Sequence, residues 1–313
     1  MASLPWEAPD RPEIEFEDGM IAERALAALR EIRDRRFFLA VGFLKPHIPF
    51  IAPKKYWDLY DPKKLPMPTR HTAPDGAPFY SMYGWQDTRR YWGMPNEGRA
   101  TEEQTRNLLH GYYACISFVD AQVGRLLNEL DRLGLRESTV VILFGDHGYN
   151  LGHYGEWDKR NAYEISARSP LMVRMPGSRP PSWRTNALVE FVDIYPSLCE
   201  LAGIPVPSEV EGTSFKPLLS DPSRPWKRAA FSYISRNVKG AGFTVGHSMR
   251  TDRYRLVEWV NKDGSLREYE LYDHHADARE TVNLASRPEH AALVRELAAQ
   301  LRRGWRASLP PKS

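Results

Sequence analysis

The chain is poor in the features that mark several protein classes. Only two cysteines, Cys115 and Cys199, stand in 313 residues. Two cannot build a disulfide framework, and neither has a partner at metal-ligand spacing. No run of about 18 apolar residues occurs, which excludes a helical membrane span. The formal charge is only +3, and basic pairs such as Lys54-Lys55 and Lys63-Lys64 are isolated. Nucleic acid is therefore not an expected partner. Met1 to Phe16 carries Pro, Glu and Asp with no apolar stretch, so it does not read as a signal peptide, and the compartment stays open. What is present is 42% apolar residues, enough for one large α/β domain with an appendage. Oligomeric state is not legible.

The organising stretch runs from Thr139 to Gly148. Val140 to Phe144 is unbroken and apolar, and Gly145-Asp146-His147-Gly148 follows. Such a run predicts a strand buried on both faces, as in a parallel sheet. Asp146 and His147 then fall at the carboxyl edge, where α/β sheets bind ligands. Asp-His-Gly alone is a common turn, and its place after a strand is what makes it a site candidate. Glu156-Trp157-Asp158-Lys159-Arg160 adds a charged cluster close behind. Acid, imidazole and amine together fit a metal-assisted anion site.

A second run, Phe37 to Phe43, predicts another buried strand, leading into Lys45-Pro46-His47-Ile48-Pro49-Phe50. The prolines end any ladder and stiffen the loop. His47 is thus presented as Asp146 is, although a loop histidine held only by hydrogen bonds fits equally at this point. Lys45 reads as its solvated neighbour. His47, Asp146, His147 and Lys159 are expected to converge at the ends of neighbouring parallel strands.

Elsewhere, residues 1–17 read as an extended surface arm. A helix starts at Asp18-Gly19, with Ile21, Ala25, Leu26, Leu29 and Ile32 on one face. Residues 51–100 are rich in proline and aromatics, among them Trp57, Trp85 and Trp92, and read as a packed excursion near the site. Its Arg89 and Arg90 are candidate anion contacts. Thr101 and Gln104 form a capping box. The helix they open carries Leu108, Tyr112, Cys115, Ile116, Val119 and Leu130 on its apolar face, and Gly134 ends it. Cys115 reads as a core thiol. Pro170 to Met175 predicts a strand, and Asp193 caps a helix that stops at Gly203. From residue 225, four strand-like runs without intervening helices predict an antiparallel sheet. Ser286-Arg287-Pro288-Glu289 then opens a closing helix. The division is an α/β core over 1–224 and an α+β subdomain over 225–313.

Together these segments resemble the sulfatase family of the alkaline-phosphatase superfamily, with the iduronate-2-sulfatase group as the nearest likeness. The residues that carry the resemblance are Phe37 to Phe43, Lys45 to Phe50, Ser117 to Leu127, Gly145 to Gly148 and Leu151-Gly152. Gly155 to Lys159, Val192 to Pro196, Glu270 to Asp273 and Asn283 to Ala285 complete them. The resemblance implies an alkaline-phosphatase-like mixed sheet flanked by helices. It implies a sulfuric-ester hydrolase acting on a sulfated carbohydrate such as iduronate 2-sulfate. By resemblance, Asp146 and His147 bind a divalent metal, usually calcium. His47 contacts the sulfate or the leaving oxygen, and Lys159 contacts the sulfate. The chemistry agrees: a cation and an ammonium offset the sulfuryl charge, and a protonated imidazole serves the leaving alkoxide. Full-length relatives are typically periplasmic, secreted or lysosomal.

Two departures stand out. The family carries an Asp-Asp metal pair and a Cys-x-Pro-x-Arg motif whose cysteine becomes the formylglycine nucleophile. Neither is found here: Cys115 precedes Ile116-Ser117-Phe118, and Cys199 precedes Glu200-Leu201-Ala202. The chain therefore looks like the C-terminal portion of a sulfatase, inactive alone. The second departure is Gly152-His153-Tyr154-Gly155, where relatives show Gly-Glu-His-Gly, and it makes His153 a further substrate-binding candidate beside Lys45. The alternatives are a phosphodiesterase or phosphonate hydrolase of the same superfamily, and a non-catalytic anion-binding fragment.

Overall fold

A computed structural model describes residues 3–84, 86–177 and 184–311. Trp85 of the excursion lies outside them. Helix α1 (Glu17–Ile32) buries Ala22, Ala25, Leu26 and Leu29, close to the expected face. It packs on the long helix that follows the excursion. The excursion itself holds two short helices, α2 (Lys54–Trp57) and α3 (Gln86–Arg89). The long helix, α4 (Glu102–Arg132), starts at the predicted capping box: Gln104 N donates to Thr101 Oγ1 at 3.1 Å, and Thr101 N to Gln104 Oε1 at 2.8 Å.

The buried stripe of α4 differs from the expected face. Leu108, Cys115 and Leu130 are buried, but Ile116 is exposed, and Phe118 and Gln122 are fully enclosed. The helix is covered from two directions, by α1 and by the aromatic core of Phe50, Tyr56 and Trp57. Its buried surface therefore exceeds one periodic stripe. Gln122 is kept inside by donating Nε2 to Glu13 Oε2 at 3.2 Å.

The N-terminal arm is not merely a surface strand. Its β1 (Trp6–Glu7) pairs in parallel with β2 (Phe50–Ile51), and Phe16 is buried. The two apolar runs also depart from expectation. Strand β3 (Val141–Phe144) pairs antiparallel with β4 (Leu171–Arg174), in the register Val141↔Arg174 to Phe144↔Leu171. It is half-buried, and Phe144 and Met172 are exposed. Residues 37–43 are extended without a strand partner, alternating between half-buried and exposed positions. An apolar run fixes extended backbone and a preference for burial, but not the number or direction of its neighbours. Among the described residues each run is only partly buried.

Helix α5 (Glu164–Ala167) precedes β4, and α6 (Ile194–Leu201) and α7 (Lys216–Ser220) follow it. Asp193 is fully buried and is tied by Lys227 Nζ, Thr213 N and Glu190 N rather than capping α6 with its side chain. The C-terminal part matches the expected antiparallel sheet. β5 (Ala229–Val238), β6 (Gly242–Thr251), β7 (Tyr254–Asn261) and β8 (Arg267–Asp273) lie in that order. Helix α8 (Ala291–Arg303) packs Val294, Leu297, Ala298 and Leu301 onto Ala229, Met249, Leu256 and Leu271. It begins with a 3-10 turn at Pro288–His290, without a side-chain cap from Ser286.

Buried polar bonds join this sheet to the site loops. Tyr163 and Tyr272 hydroxyls and Trp259 Nε1 all donate to the Glu270 carboxylate. Tyr80 of the excursion donates to Glu268 at 2.6 Å.

Candidate active site

The His47 loop is braced from α1. Asp18 is buried, and its two oxygens accept from Leu44 N at 2.7 Å and Lys45 N at 2.9 Å. The turn before α1 fits because residue 19 is glycine; a Cβ there would lie 1.8 Å from the Glu13 carbonyl oxygen. Lys45 Nζ donates to Pro49 O at 2.7 Å and His47 O at 3.3 Å, tying the loop to itself. His47 Nδ1 lies 2.6 Å from Ile48 O, which assigns a proton to Nδ1 and leaves Nε2 as the second functional nitrogen. That Nε2 is 3.4 Å from Lys159 Nζ.

Lys159 is positioned by a loop folded on its own polar groups. Asn150 donates through N at 2.7 Å and Nδ2 at 2.9 Å to the Asp158 carbonyl, and Nδ2 also reaches Ser166 Oγ at 2.8 Å. The Trp157 carbonyl accepts from Thr88 Oγ1 at 2.6 Å and Tyr149 OH at 3.0 Å. Glu156 accepts from Gly84 N at 2.8 Å. Asn150, Glu156 and Asp158 are buried. Burial pushes the Asp158 carboxyl up, against the lowering effect of the Arg160 amide. Sequence reasoning did not single out Asp18, Thr88 or Asn150.

Asp146 and His147 follow β3. Gly145 N donates to Pro170 O at 3.0 Å, and Gly148 N to Ser166 O at 2.8 Å. A Cβ at 148 would sit 2.0 Å from the Ile165 carbonyl oxygen, so this close approach requires glycine. His147 Nδ1 is 2.7 Å from Gly148 O, and its Nε2 is 3.4 Å from Asp146 Oδ2. The Asp146 side chain is 84% exposed.

The structure thus brings His47 to Lys159 and His147 to Asp146. Lys45, His153 and Arg89 make hydrogen bonds to backbone groups of their own loops. His153 Nδ1 accepts from Leu151 N at 3.3 Å, and burial lowers its pKa. Arg89 donates to the Gly84, Pro95 and Gly98 carbonyls. Arg90 is exposed on the excursion.

As cation ligands, Asp146 and His147 fit in kind. One offers a carboxylate, and the other an Nε2 whose partner nitrogen is satisfied by a carbonyl. They form a partial set, since calcium takes about six to eight oxygens. Among the described residues no third His, Cys, Asp or Glu joins them. Glu164, His274 and Glu280 do converge, their ligand atoms within 4.8 Å of one another. There the Arg255 guanidinium already bridges the two carboxylates. That cluster therefore reads as a compensated ion network.

Comparison with known proteins supplies the family. The Sulfatase profile matches residues 2–204, and the profile of N-sulphoglucosamine sulphohydrolase, C-terminal, matches 152–306. Iduronate 2-sulfatase of Homo sapiens is 30% identical over 320 residues, covering 82% of this chain and 58% of the relative. The chain spans about a third to two thirds of the length of the curated relatives it matches. An enzyme solved in complex with its substrate D-glucosamine-2-N,6-O-disulfate superposes with a TM-score of 0.78 and 22% identity, over 94% of this chain and 70% of that one. Phosphonate monoester hydrolase of Agrobacterium radiobacter superposes with a TM-score of 0.81 and 24% identity, over 97% and 63%. These likenesses establish the alkaline-phosphatase-like fold, with helices beside mixed sheet and an antiparallel C-terminal sheet. The chain belongs to the sulfatase family.

Proposed function

We propose that this chain carries the sulfate-recognition half of a sulfuric-ester hydrolase acting on a sulfated sugar. The observation that carries the reading is the Lys159–His47 pair, 3.4 Å apart, built from two separate family motifs. The Lys159 ammonium offsets charge on the sulfuryl oxygens. With the sulfate between them, Lys159 turns from the ring to the anion. His47 Nε2, protonated from solvent, then donates that proton to the leaving oxygen as the ester bond breaks. The Nδ1–H bond to Ile48 O fixes the ring so that Nε2 faces the anion. A divalent cation held by Asp146 and His147 would supply Lewis-acid polarisation of a sulfuryl group.

The formylglycine motif is not among these 313 residues. The isolated chain is therefore read as an anion-binding unit without turnover. His47 general acid catalysis is worth about 10²–10⁴-fold, against enhancements of about 10⁶-fold or more for enzymes. A second reading, phosphonate monoester hydrolysis, draws on the fold shared with phosphonate hydrolases. The test measures sulfate release from sulfated sugars and phosphonate release from phosphonate monoesters. Both are assayed with the chain alone and with the chain joined to a family N-terminal segment carrying Cys-x-Pro-x-Arg. Sulfate release by the joined chain only is the expected result. Turnover by the isolated chain, abolished by Asp146→Ala, would overturn the division of labour, and faster phosphonate cleavage would favour the second reading.

A further inference from the structure

Beside Lys159, two guanidinium groups meet at one aromatic ring. Arg160 lies over Tyr83 at 4.7 Å and Arg236 lies over the same ring at 5.3 Å, measured from the guanidinium carbon to the ring centroid. They come from distant parts of the chain, Arg160 from the Lys159 loop and Arg236 from β5. The arrangement is locked. All three Arg236 nitrogens donate to backbone carbonyls, Nη2 to Arg160 O, Nε to Tyr80 O at 3.1 Å and Nη1 to Ser235 O at 2.9 Å, and Arg160 donates to the Tyr83 hydroxyl. Like charges repel, so holding two guanidinium groups against one ring has an energetic cost that an anion would relieve.

The surrounding acids compensate this patch only in part. Glu156 and Asp158 are buried, and burial disfavours the charged form of Asp158. Asp87 pairs with Arg160 at 3.0 Å, occupying one guanidinium nitrogen. The Arg160 side chain remains 45% exposed. A planar guanidinium fork stiffened by stacking suits bidentate contact with a carboxylate or sulfate.

We propose that Arg160, held in place by Tyr83 and Arg236, forms a second anion subsite, taking an additional sulfate or a carboxylate on the sugar whose sulfate ester meets Lys159 and His47. The proposal rests on the sulfatase reading of that pair. It makes the substrate a sugar with at least two anionic groups, and it makes β5 of the C-terminal sheet a contributor to specificity.

The test uses the 313-residue chain and NMR titration at low ionic strength. The probes are glucosamine 6-sulfate, D-glucosamine-2-N,6-O-disulfate and a 2-sulfated uronic acid. The expected result is about tenfold tighter binding of at least one dianion than of the monosulfate, the size of one charge-assisted hydrogen bond. The preferred dianion identifies the second group. Arg160→Met should erase the preference to within about twofold while leaving monosulfate binding intact. Arg303→Met, on the far helix α8, removes the same net charge and should leave the preference unchanged. Lys159→Met should weaken all three probes. Equal binding of all three by the wild-type chain, or a preference that survives Arg160→Met, would overturn the subsite alone. Binding of none would overturn the sulfatase reading of Lys159 and His47, and the subsite with it.

Discussion

Lys159 Nζ lies 3.4 Å from His47 Nε2, although 112 residues separate them in the chain. An ammonium facing an imidazole nitrogen is stable when the ring accepts and the ammonium donates. That geometry suits a neutral ring before substrate arrives. An anion inserted between the two draws on both as donors. The pair is therefore arranged to change partners on binding an anion.

Calcium should bind this chain weakly. Asp146 and His147 supply one carboxylate and one imidazole, far short of a full oxygen shell. Calorimetric titration is expected to give a dissociation constant weaker than about 10⁻⁴ M. Tight binding abolished by Asp146→Ala would reveal ligands that this reading lacks.

Gly148→Ala should destabilise the chain by at least about 1–3 kcal/mol, the usual cost of overpacking. The new methyl would lie 2.0 Å from Ile165 O and 2.8 Å from Arg168 O, both backbone. Gly145→Ala meets only Pro170 and Ser169 side-chain atoms, at 3.3 Å and beyond, and should be much milder. Thermal melts of the two variants compare them directly, and equal losses would contradict the packing described here.

Cys115 should be inert in the folded chain. It is fully buried, and burial pushes its thiol up to about 12, so thiolate is scarce at pH 8. Alkylation mapped by mass spectrometry should find it modified only after denaturation. Fast labelling of the native chain would show that the α4 core opens readily.

Acid should weaken the joint between the site loop and the C-terminal sheet. Burial alone would raise the Glu280 carboxyl, but the Arg255 charge and bonds from His274 and Glu164 N outweigh it and hold it below the usual carboxylate range. A depressed carboxyl contributes stability above its unfolded value, about pH 4.3, and loses it as pH falls through the folded value. Glu280→Gln is therefore expected to cost about 3–5 kcal/mol near neutral pH, by leaving Arg255 under-compensated. The variant should also show a shallower loss of stability below about pH 5 than the wild type. Parallel acid slopes in denaturant melts would contradict this assignment.

The sequence was most legible where local chemistry decides the outcome. The Thr101–Gln104 box, the four C-terminal strands and the buried Cys115 all rest on short-range pattern or on simple burial. Strand neighbours were not legible. Val141 to Phe144 has the composition of a doubly buried parallel strand, yet it pairs antiparallel with Leu171–Arg174 and stays half-exposed. Pairing partner and direction are long-range choices that an apolar run does not encode. At the site, His47 and Lys159 could be singled out because their motifs are unusual. Their supports could not, because Asp18 looks like an ordinary first-turn acid and Asn150 like an ordinary loop residue. Only the three-dimensional closure of each loop reveals what these two hold.

The most direct test follows the His47 ring itself. In the 313-residue chain, the His47 Cε1–H resonance is assigned by comparison with His47→Gln and then followed by NMR as an aryl sulfate is added, with the uncharged parent phenol as control. The predicted result is a saturable shift with the sulfate ester alone, lost in Lys159→Met. A His47 resonance indifferent to the sulfate ester, or a response unchanged by Lys159→Met, would contradict the assignment of this pair as the sulfate site.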